Sequence, residues 1–401
     1  MILAALLVGA STAAAPAPWI HASGTSFVDE AGLAVRLRGI NLGNWLTIEG
    51  WLCGLNDAVE PGRDIPDEWT LWTICEERFG REQTARLIRA WHDAWMTETD
   101  FRQIKAAGFD FVRLPFWHAW LDPADAPAGV ADGFDRLDAA ITRAKSHGLR
   151  VLLDLHGAPG SQNDWDHSGV SKRNLLFKVP GYRDRTVDAW KRLAARYKDE
   201  PVVWGYDLLN EPNGGRPEDL HAFHDRLYRE IRAVDPRHLI VVEDGLHGLH
   251  TMPPPSKYGW KNVAYSVHFY LFGAKSDDEH RRFADTTVPG WRTKQVEYGV
   301  PLYIGEFNTL NPWWGLESTR RYVRAFHSFG WAWSPWTWKK VESGNPPWLW
   351  GLMVDAKPRP GFPDLRRASF DQLLRHISGY SGNWRLNDAY AAALRDEPSG
   401  R

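Results

Sequence analysis

The strongest constraint on the fold is a series of eight short apolar segments, most of them separated by longer segments with helical periodicity. Continuous apolar runs of this length are typical of strands buried on both faces, as in parallel sheets with helical crossovers. The pattern predicts an α/β fold, a (β/α)8 TIM barrel that forms a single domain over residues 16–401. The predicted strands are residues 35–41, 109–115, 149–156, 203–210, 238–244, 262–269, 300–307 and 331–338.

The rival fold is a doubly wound open sheet, which requires a glycine-rich phosphate loop after the first strand. The segment GINLGNW at residues 39–45 matches that loop poorly, so the barrel is favoured. Helical periodicity is clear where Leu87, Ile88 and Trp91 share one face, and Gly108 and Gly148 stand where helix caps are expected. The predicted helices are residues 81–107, 134–147, 183–198, 218–234, 278–298, 317–329 and 370–377, whereas the Pro-rich connection 245–261 is weakly helical.

The first residues, MILAALLVGASTAAAPAPW, combine a short apolar run with small residues of the A-x-A type. This combination is typical of an export signal, so we predict a signal peptide over residues 1–15 that is cleaved near Ala13 to Ala15. No later segment has about 18 consecutive apolar residues, so no membrane anchor is predicted. We expect a secreted protein, extracellular or periplasmic.

The formal net charge is −2 with acidic and basic residues interspersed, which leaves no basic field for nucleic acid and no polybasic patch for a membrane. We expect a monomer with a small-molecule or polymer substrate. The two cysteines, Cys53 and Cys75, allow one disulfide in an exported protein but are too few for a zinc site.

The 23 tryptophans are more than a core normally needs. A flat indole ring packs on the C–H face of a pyranose, which gives these residues a use in sugar binding. The alternative is core filling, which we expect for over half of them. Clusters such as Trp313–Trp314 and Trp348–Trp350 act either as platforms for further sugars or as a cover over the barrel top.

Polar groups and one tryptophan end six of the eight predicted strands. Barrels of this type carry their chemistry at the carboxyl ends of the strands, so these side chains converge on one mouth. A single residue of this kind is more often a satisfied buried hydrogen-bonder than a catalyst, but six at one end indicate an active site. They are Arg113, His156, Asn210 with Glu211, His268 with Tyr270, Glu306 and Trp336.

Two of these residues, Glu211 and Glu306, form the minimal apparatus for glycoside hydrolysis. One carboxyl must give a proton to the leaving oxygen while the other stays ionised to attack the anomeric carbon or to activate water. Arg113 and Tyr270 favour the charged form of Glu306, which makes it the nucleophile. The apolar company expected for Glu211 favours its protonated form, which makes it the acid/base, and Asn210 suits the 2-hydroxyl of the sugar.

The ordered set of VRLPF, LDLHG, NEP, HFY and GEF resembles clan A of the glycoside hydrolases, specifically glycoside hydrolase family 5, over about residues 35–350. The resemblance implies a retaining double displacement with Glu211 as acid/base and Glu306 as nucleophile. It also implies the supporting residues Arg113, His156, Asn210, His268, Tyr270 and Trp336.

Two further stretches, NLGNWLTIEGW and DLHGAPGSQNDWDHSG, resemble the exo-β-1,3-glucanase branch of this family. By that similarity Glu49 and Asp166 bind hydroxyls of the terminal glucose, and Asn163 and Trp165 of the same loop add further contacts. The alternative is that GAPGSQN is only a tight loop of turn-forming residues. The chain departs from the branch at Asn44, where a second glycine is usual, and in the insertion-like segment 52–67.

We therefore expect a β-glucan or oligosaccharide substrate and an exo-β-1,3-glucanase or β-glucosidase-like activity. An endo-β-1,4-glucanase or a mannanase of the same family stays open, because the catalytic set does not encode the linkage. A carbohydrate-binding protein without turnover is the alternative from another class. The chemistry requires no metal and no organic cofactor.

Overall fold

The computed structural model describes residues 17–57 and 63–396, so the predicted signal peptide lies outside the described residues. Eight parallel strands follow one another in chain order around a barrel. The Trp333 N–H donates to the Leu37 carbonyl at 3.1 Å and so joins the last strand to the first. The strands are β1 Gly39–Asn41, β2 Phe111–Trp117, β3 Arg150–Gly157, β4 Val203–Asp207, β5 Leu239–Glu243, β6 Val263–Tyr270, β7 Leu302–Asn308 and β8 Ala332–Trp333.

The TIM barrel prediction is confirmed, and each strand lies within or overlaps its predicted segment. β8 is much shorter than predicted because Pro335 has no N–H to donate to a sheet ladder. The chain beyond it stays attached through Trp338, whose N–H donates to the Asn41 carbonyl at 2.9 Å. The segment after β8 therefore lies over the barrel mouth, at the end where β1 also stops.

The first predicted helix, residues 81–107, is wrong in its bounds. The helix starts earlier, where Asp67 accepts a hydrogen bond from the Thr70 N–H at 2.8 Å, and it kinks at Gly80. It stops at Trp95, and a new helix begins where Thr97 and Asp100 form a capping box. The helices are Gly50–Cys53, Glu68–Trp95, Glu98–Ala106, Gly133–Ser146, Pro180–Tyr197, Pro217–Arg232, Asp277–Tyr298, Gly315–Phe329, Phe370–Ser378 and Asp388–Leu394.

The amino-terminal end of the barrel is filled and covered. Inside it Phe111, Trp204 and Tyr303 pack edge to face with ring centroids 5.1–6.0 Å apart. A hairpin of His21–Ser23 and Ser26–Val28 lies outside this cluster and packs Phe27 against Trp204. Because this end is closed, a substrate reaches the barrel from the carboxyl ends of the strands.

Fourteen of the 23 tryptophans are buried in the described structure, which agrees with core filling for more than half of them. Cys53 and Cys75 are buried free thiols, so the disulfide that the sequence allows is not formed. The connection between β5 and β6 holds only the short turns Gly245–His247 and Pro255–Lys257, as its proline content predicts. No helix within residues 17–57 and 63–396 is long and apolar enough to cross a membrane.

Candidate active site

A cavity of about 430 Å³ opens at the carboxyl ends of the barrel strands. It contains both predicted catalytic acids and most of the predicted sugar-binding residues. Its lining residues are Glu49, Trp51, His156, Trp165, Asp166, His167, Glu211, Leu246, Tyr270, Phe272, Glu306, Trp336 and Trp350.

Glu306 lies near the end of β7 and both of its carboxylate oxygens are bound. Arg113 Nη1 donates to Oε1 at 2.8 Å, and the Tyr270 hydroxyl donates to Oε2 at 2.7 Å. Burial raises the pKa of Glu306, while His268, Arg113 and Tyr270 oppose that rise. The two partners predicted from the sequence are therefore the two that hold this side chain.

Arg113 is fully buried at the centre of a network of acids and amides. Besides Glu306 it binds Asp207 at 2.9 Å through Nε and Asp154 at 3.1 Å through Nη2. Burial raises the pKa of Asp154 and of Asp207 to about 7 against the opposing charge of Arg113. A buried guanidinium needs such partners, and here they fix its direction toward Glu306.

Glu211 follows β4 and faces Glu306 across the cavity. One carboxylate oxygen of Glu211, one of Glu306 and a ring nitrogen of His268 lie within 4.8 Å of one another. His268 Nδ1 is 3.0 Å from Glu211 Oε1, and His167 Nε2 is 3.7 Å from Oε2. The surroundings of Glu211 are thus more polar than the apolar company that the sequence analysis expects.

His268 lies close to both Glu211 and Glu306. Its Nδ1 is 3.7 Å from Glu306 Oε1 and 3.4 Å from a third acid, Glu243. Burial lowers the pKa of His268 to about 3, so the imidazole is neutral near pH 7. Gly305 makes this approach possible, because a Cβ there would lie 2.5 Å from His268 Nε2.

Asn210 and His156 form a second supporting pair. Asn210 is fully buried, accepts from Arg113 Nη2 at 2.8 Å and has its Nδ2 3.4 Å from His156 Nε2. His156 stacks on Trp336 with ring centroids 5.2 Å apart, and both rings line the cavity. The structure thus buries Asn210 outside the cavity lining, while His156 and Trp336 form part of the cavity wall.

The loops after β1 and β3 supply several residues of the cavity wall. One oxygen of Glu49, one of Asp166 and a nitrogen of His167 lie within 4.8 Å of one another. Trp51 Nε1 donates to Glu49 Oε2 at 2.9 Å, and the buried Glu49 Oε1 has no hydrogen bond from the described part of the chain. Burial raises the pKa of Glu49 and of Asp166, as two neighbouring acids in a closed pocket require.

Asn44, where the chain departs from the branch, has a positive φ. Asn44 adopts φ +65, a left-handed conformation that asparagine tolerates better than most residues. Its Oδ1 accepts from the Glu49 N–H at 2.8 Å and so fixes the start of the turn that presents Glu49. Asn44 itself is buried and does not line the cavity.

Asn163 and Trp165 take different places in the third loop. Trp165 lines the cavity and is 37% exposed, which leaves its ring open to a sugar. Asn163 is buried and donates to the Glu211 carbonyl at 3.1 Å, while its Oδ1 accepts from the Trp165 N–H at 3.0 Å. Asn163 therefore orders the site from behind its wall, and the loop is more than a turn.

Aromatic rings surround the cavity opening. Trp350 packs 4.8 Å from Trp51 and 6.2 Å from Phe272, measured between ring centroids. Outside the cavity Trp313 is 70% exposed and packs edge-on against Trp348. Trp350 thus lines the cavity, whereas Trp313 and Trp348 lie outside it and are exposed to solvent.

Sequence reasoning missed four polar residues of the site, namely Asp154, Asp207, Glu243 and His167. Charged residues inside buried strands give the available signal. Asp154 shares the face of His156 two residues later, and Asp207 lies within YDLLNEP, where only a buried cation such as Arg113 explains an acid. Glu243 ends β5 as Glu306 nearly ends β7, so the same strand-end pattern carries the signal for Glu243.

Among the residues that the structure describes, two sets of side chains have the donor types of a cation site: Glu49 with Asp166 and His167, and Glu211 with His268 and Glu306. In the second set both Glu306 oxygens already accept hydrogen bonds, one of them from a guanidinium. A positive charge at that distance competes with a metal ion, so the set suits a reacting pair of acids better than a metal centre.

Known proteins with similar sequences identify the family of this chain. The sequence profile of cellulase (glycosyl hydrolase family 5) matches residues 75–342. The chain is 33% identical over 318 residues to the probable glucan 1,3-β-glucosidase A of Aspergillus niger, which covers 76% of this chain and 72% of that protein. It is 30% identical over 307 residues to a β-xylosidase of Phanerodontia chrysosporium, with 73% and 62% covered.

Solved structures support the fold. The rutinosidase of Aspergillus niger matches with a TM-score of 0.62 at 17% identity, covering 86% of this chain and 98% of that one. An identity this low carries the barrel architecture and no further property. The profile match over more than half of the sequence and the 33% identical relative show more: the chain belongs to glycosyl hydrolase family 5, a family of enzymes that hydrolyse glycosidic bonds.

Proposed function

We propose that the protein is a retaining β-glycoside hydrolase with Glu306 as nucleophile and Glu211 as acid/base. The observation that carries the proposal is the approach of the two carboxylates to within 4.8 Å. Retaining enzymes hold their carboxyl groups about 5–5.5 Å apart, whereas inverting enzymes leave about 6.5–9.5 Å for a water molecule.

The different bonding of the two acids supports the assignment of roles. Glu306 has a guanidinium on one oxygen and a phenol on the other, and both favour a carboxylate that is ready to attack. Among the described residues the Glu211 carboxyl has neither a guanidinium nor a phenol on its oxygens, which leaves it free for the role of proton donor. Glu211 gives a proton to the leaving oxygen and then takes one from the water that hydrolyses the glycosyl-enzyme.

For the substrate we propose the non-reducing end of a β-1,3-glucan. Glu49 and Asp166 lie together in the cavity wall and offer acceptors for hydroxyls of a terminal sugar. Binding of a terminal sugar suits exo action, and several relatives carry the name probable glucan 1,3-β-glucosidase A. A β-xyloside is the second candidate substrate, because another relative is named β-xylosidase. Xylose differs from glucose only in lacking the hydroxymethyl group on C5.

We further propose that the protein is secreted after removal of residues 1–15, that residues 16–401 form one catalytic domain and that it acts as a monomer. The apolar N-terminal run and the balanced charge support these points. Export is tested by sequencing the N-terminus of protein recovered from culture medium, and the monomer by light scattering. Retention of protein with an intact N-terminus inside the cell contradicts the export proposal.

The product profile on defined substrates tests the proposed function. We expect glucose alone from laminarin at the earliest times, formed first as the β-anomer by NMR. A ladder of oligosaccharides instead identifies an endo enzyme, and faster turnover of cello-oligosaccharides, mannan or an aryl β-xyloside reassigns the substrate. Absence of turnover on all of them, with sugar binding retained, identifies a carbohydrate-binding protein.

A further inference from the structure

The backbone of Glu211 has an unusual conformation for the residue that bears an acid/base. Its φ is +44, a region that a glutamate rarely adopts, and Pro212 follows it. A residue before proline normally takes an extended conformation. A strained conformation of this kind persists only where surrounding contacts hold it.

Glu243 provides the main contact. The Glu211 N–H donates to Glu243 Oε2 at 2.7 Å, while the preceding Asn210 N–H still bonds to the Leu155 carbonyl of β3. The chain thus leaves the sheet between these two residues, and a side chain replaces the next strand as acceptor. Because Glu243 is the last residue of β5, which pairs with β4, its carboxyl reaches this N–H from a rigid element.

The segment after Glu243 fits the same turn. Gly245 has φ +61, and a Cβ there would lie 2.1 Å from the Pro212 carbonyl oxygen. The end of β5 and the turn after it therefore contact the chain on both sides of Glu211, at the Glu211 N–H and near the Pro212 carbonyl. Glu243 is fully buried and does not line the cavity, so it does not meet the substrate.

We propose that Glu243 is a positioning residue for the acid/base: its carboxyl holds the Glu211 N–H and thereby the left-handed backbone that directs the Glu211 side chain at the leaving oxygen. This inference rests on the proposed function, because it assigns Glu243 a part in proton donation by Glu211. Glu243 has no comparable contact with Glu306, from which the shared neighbour His268 separates it.

The assignment predicts a defect in one step of the reaction. Misplaced proton donation slows cleavage of substrates with poor leaving groups, whereas 2,4-dinitrophenolate departs without an added proton. In Glu243→Ala we expect kcat/KM to fall about 100-fold for an alkyl or phenyl β-glucoside, within the range of general acid catalysis, and only a few-fold for the dinitrophenyl β-glucoside. Glu243→Gln keeps an acceptor oxygen and should recover most of the lost rate.

The matched control is Asp235→Asn, at the opposite end of the same barrel segment. Asp235 is also buried and accepts backbone N–H groups, from Arg237 at 2.9 Å and His238 at 3.1 Å. Its loss should lower stability but affect all leaving groups equally. Should Glu243→Ala fail to fold, Glu243→Asp serves instead, since it keeps the charge but shortens the reach, and the same leaving-group signature is expected.

Equal losses on both substrates in Glu243→Ala overturn the proposal, and so does a Gln variant as impaired as Ala, because charge and not the backbone bond would then matter. The proposed function is tested separately in the wild type by β-anomer formation. If the wild type inverts, the catalytic assignment fails. If it retains and the Glu243 variants show no leaving-group dependence, only the positioning role fails.

Discussion

The two acids of the site are held in opposite ways. Glu306 lies within a regular strand, and its side chain is fixed at both oxygens by Arg113 and Tyr270. Glu211 lies beyond its strand, and its backbone is held on both sides. Its N–H donates to Glu243, and its carbonyl accepts from Asn163. The side chain of Glu211 has one hydrogen-bonding neighbour, His268, among the described residues.

The difference matches the proposed chemistry. A nucleophile attacks one carbon from one direction, so a carboxylate with locked oxygens is already in its reacting position. An acid/base must gain and lose a proton within each cycle, and fixed partners on both oxygens would favour one of its two states. The backbone, which does not change charge, is the part of Glu211 that can be locked without that cost.

The largest expected effects come from removing the acids themselves. Glu306→Ala should lower kcat by about 10⁵-fold or more, the scale seen when an enzyme loses its nucleophile. Glu211→Ala should lose about 10²–10⁴-fold on glucosides with poor leaving groups. Stopped assays on phenyl β-glucoside measure both losses.

Azide rescue distinguishes the role of Glu211 from that of Glu306. With the dinitrophenyl β-glucoside, added azide should accelerate Glu211→Ala and give the β-glucosyl azide, because the glycosyl-enzyme still forms. In Glu306→Ala azide takes the place of the missing carboxylate and attacks the anomeric carbon from the α face. The expected product is the α-glucosyl azide. Exchange of these two products reverses the assigned roles.

The next effect concerns Arg113, which binds Glu306 and also Asn210, the residue before Glu211. Arg113→Lys keeps the charge but cannot reach Asp154, Asp207, Glu306 and Asn210 together. Buried acids then lose their partner, and the free energy of unfolding should fall by about 3–5 kcal/mol together with most of the activity. Urea denaturation and phenyl glucoside turnover measure the two losses.

Arg359→Lys is the control for Arg113, since Arg359 also binds an acid and two carbonyl groups but lies in the carboxyl-terminal region. It should lose stability and keep full activity per folded molecule. A fully active Arg113→Lys protein contradicts the view that one guanidinium aligns both sides.

The contacts that hold the Glu306 side chain were largely predictable from the sequence, and those that hold the Glu211 backbone were not. Arg113, Tyr270 and Glu306 all lie within strands, where position along the chain fixes which residues meet at the barrel mouth. The period-2 alternation places Glu306 and its partners without any knowledge of loops. The predicted barrel and its eight strands follow from the same regularity.

The backbone conformation of Glu211 depends on contacts that local sequence does not encode. The N–H of Glu211 meets Glu243 only because β4 and β5 pair, and Asn163 reaches the Glu211 carbonyl from a loop 48 residues earlier. The break in the predicted helix 81–107 has the same origin, because Asp100 caps a turn and also binds the buried Lys339 from beyond β8. Tertiary partners decide both features.

A smaller effect is expected from the phenol on Glu306. Tyr270→Phe removes a hydrogen bond that favours the ionised carboxylate, so kcat should fall by about 10–100-fold. The missing bond raises the pKa of Glu306 further beyond the rise that burial causes. Because the nucleophile must be ionised, the acid limb of the kcat/KM profile should move to higher pH.

Tyr265→Phe is the control on the same strand, since its hydroxyl donates to the Pro253 carbonyl at 2.6 Å within the core. It should leave the acid limb in place. An acid limb that stays unchanged in Tyr270→Phe, or moves to lower pH, separates Tyr270 from the ionisation of Glu306.

The smallest effect should come from Asn163, which holds the carbonyl side of the Glu211 peptide. Asn163→Ala removes the bond to the Glu211 carbonyl, worth about 0.5–1.5 kcal/mol, together with the bonds of Asn163 to the Trp165 N–H and to His167. A loss of roughly 2–10-fold is expected on phenyl β-glucoside and less on the dinitrophenyl substrate. Asn174→Ala is the control, because Asn174 binds Asp164 in the same loop but not Glu211. If Asn163→Ala slows both substrates equally while Asn174→Ala slows neither, the loop acts through sugar binding. Asn163 would then not hold the Glu211 backbone for proton donation, and only Glu243 would remain in that role.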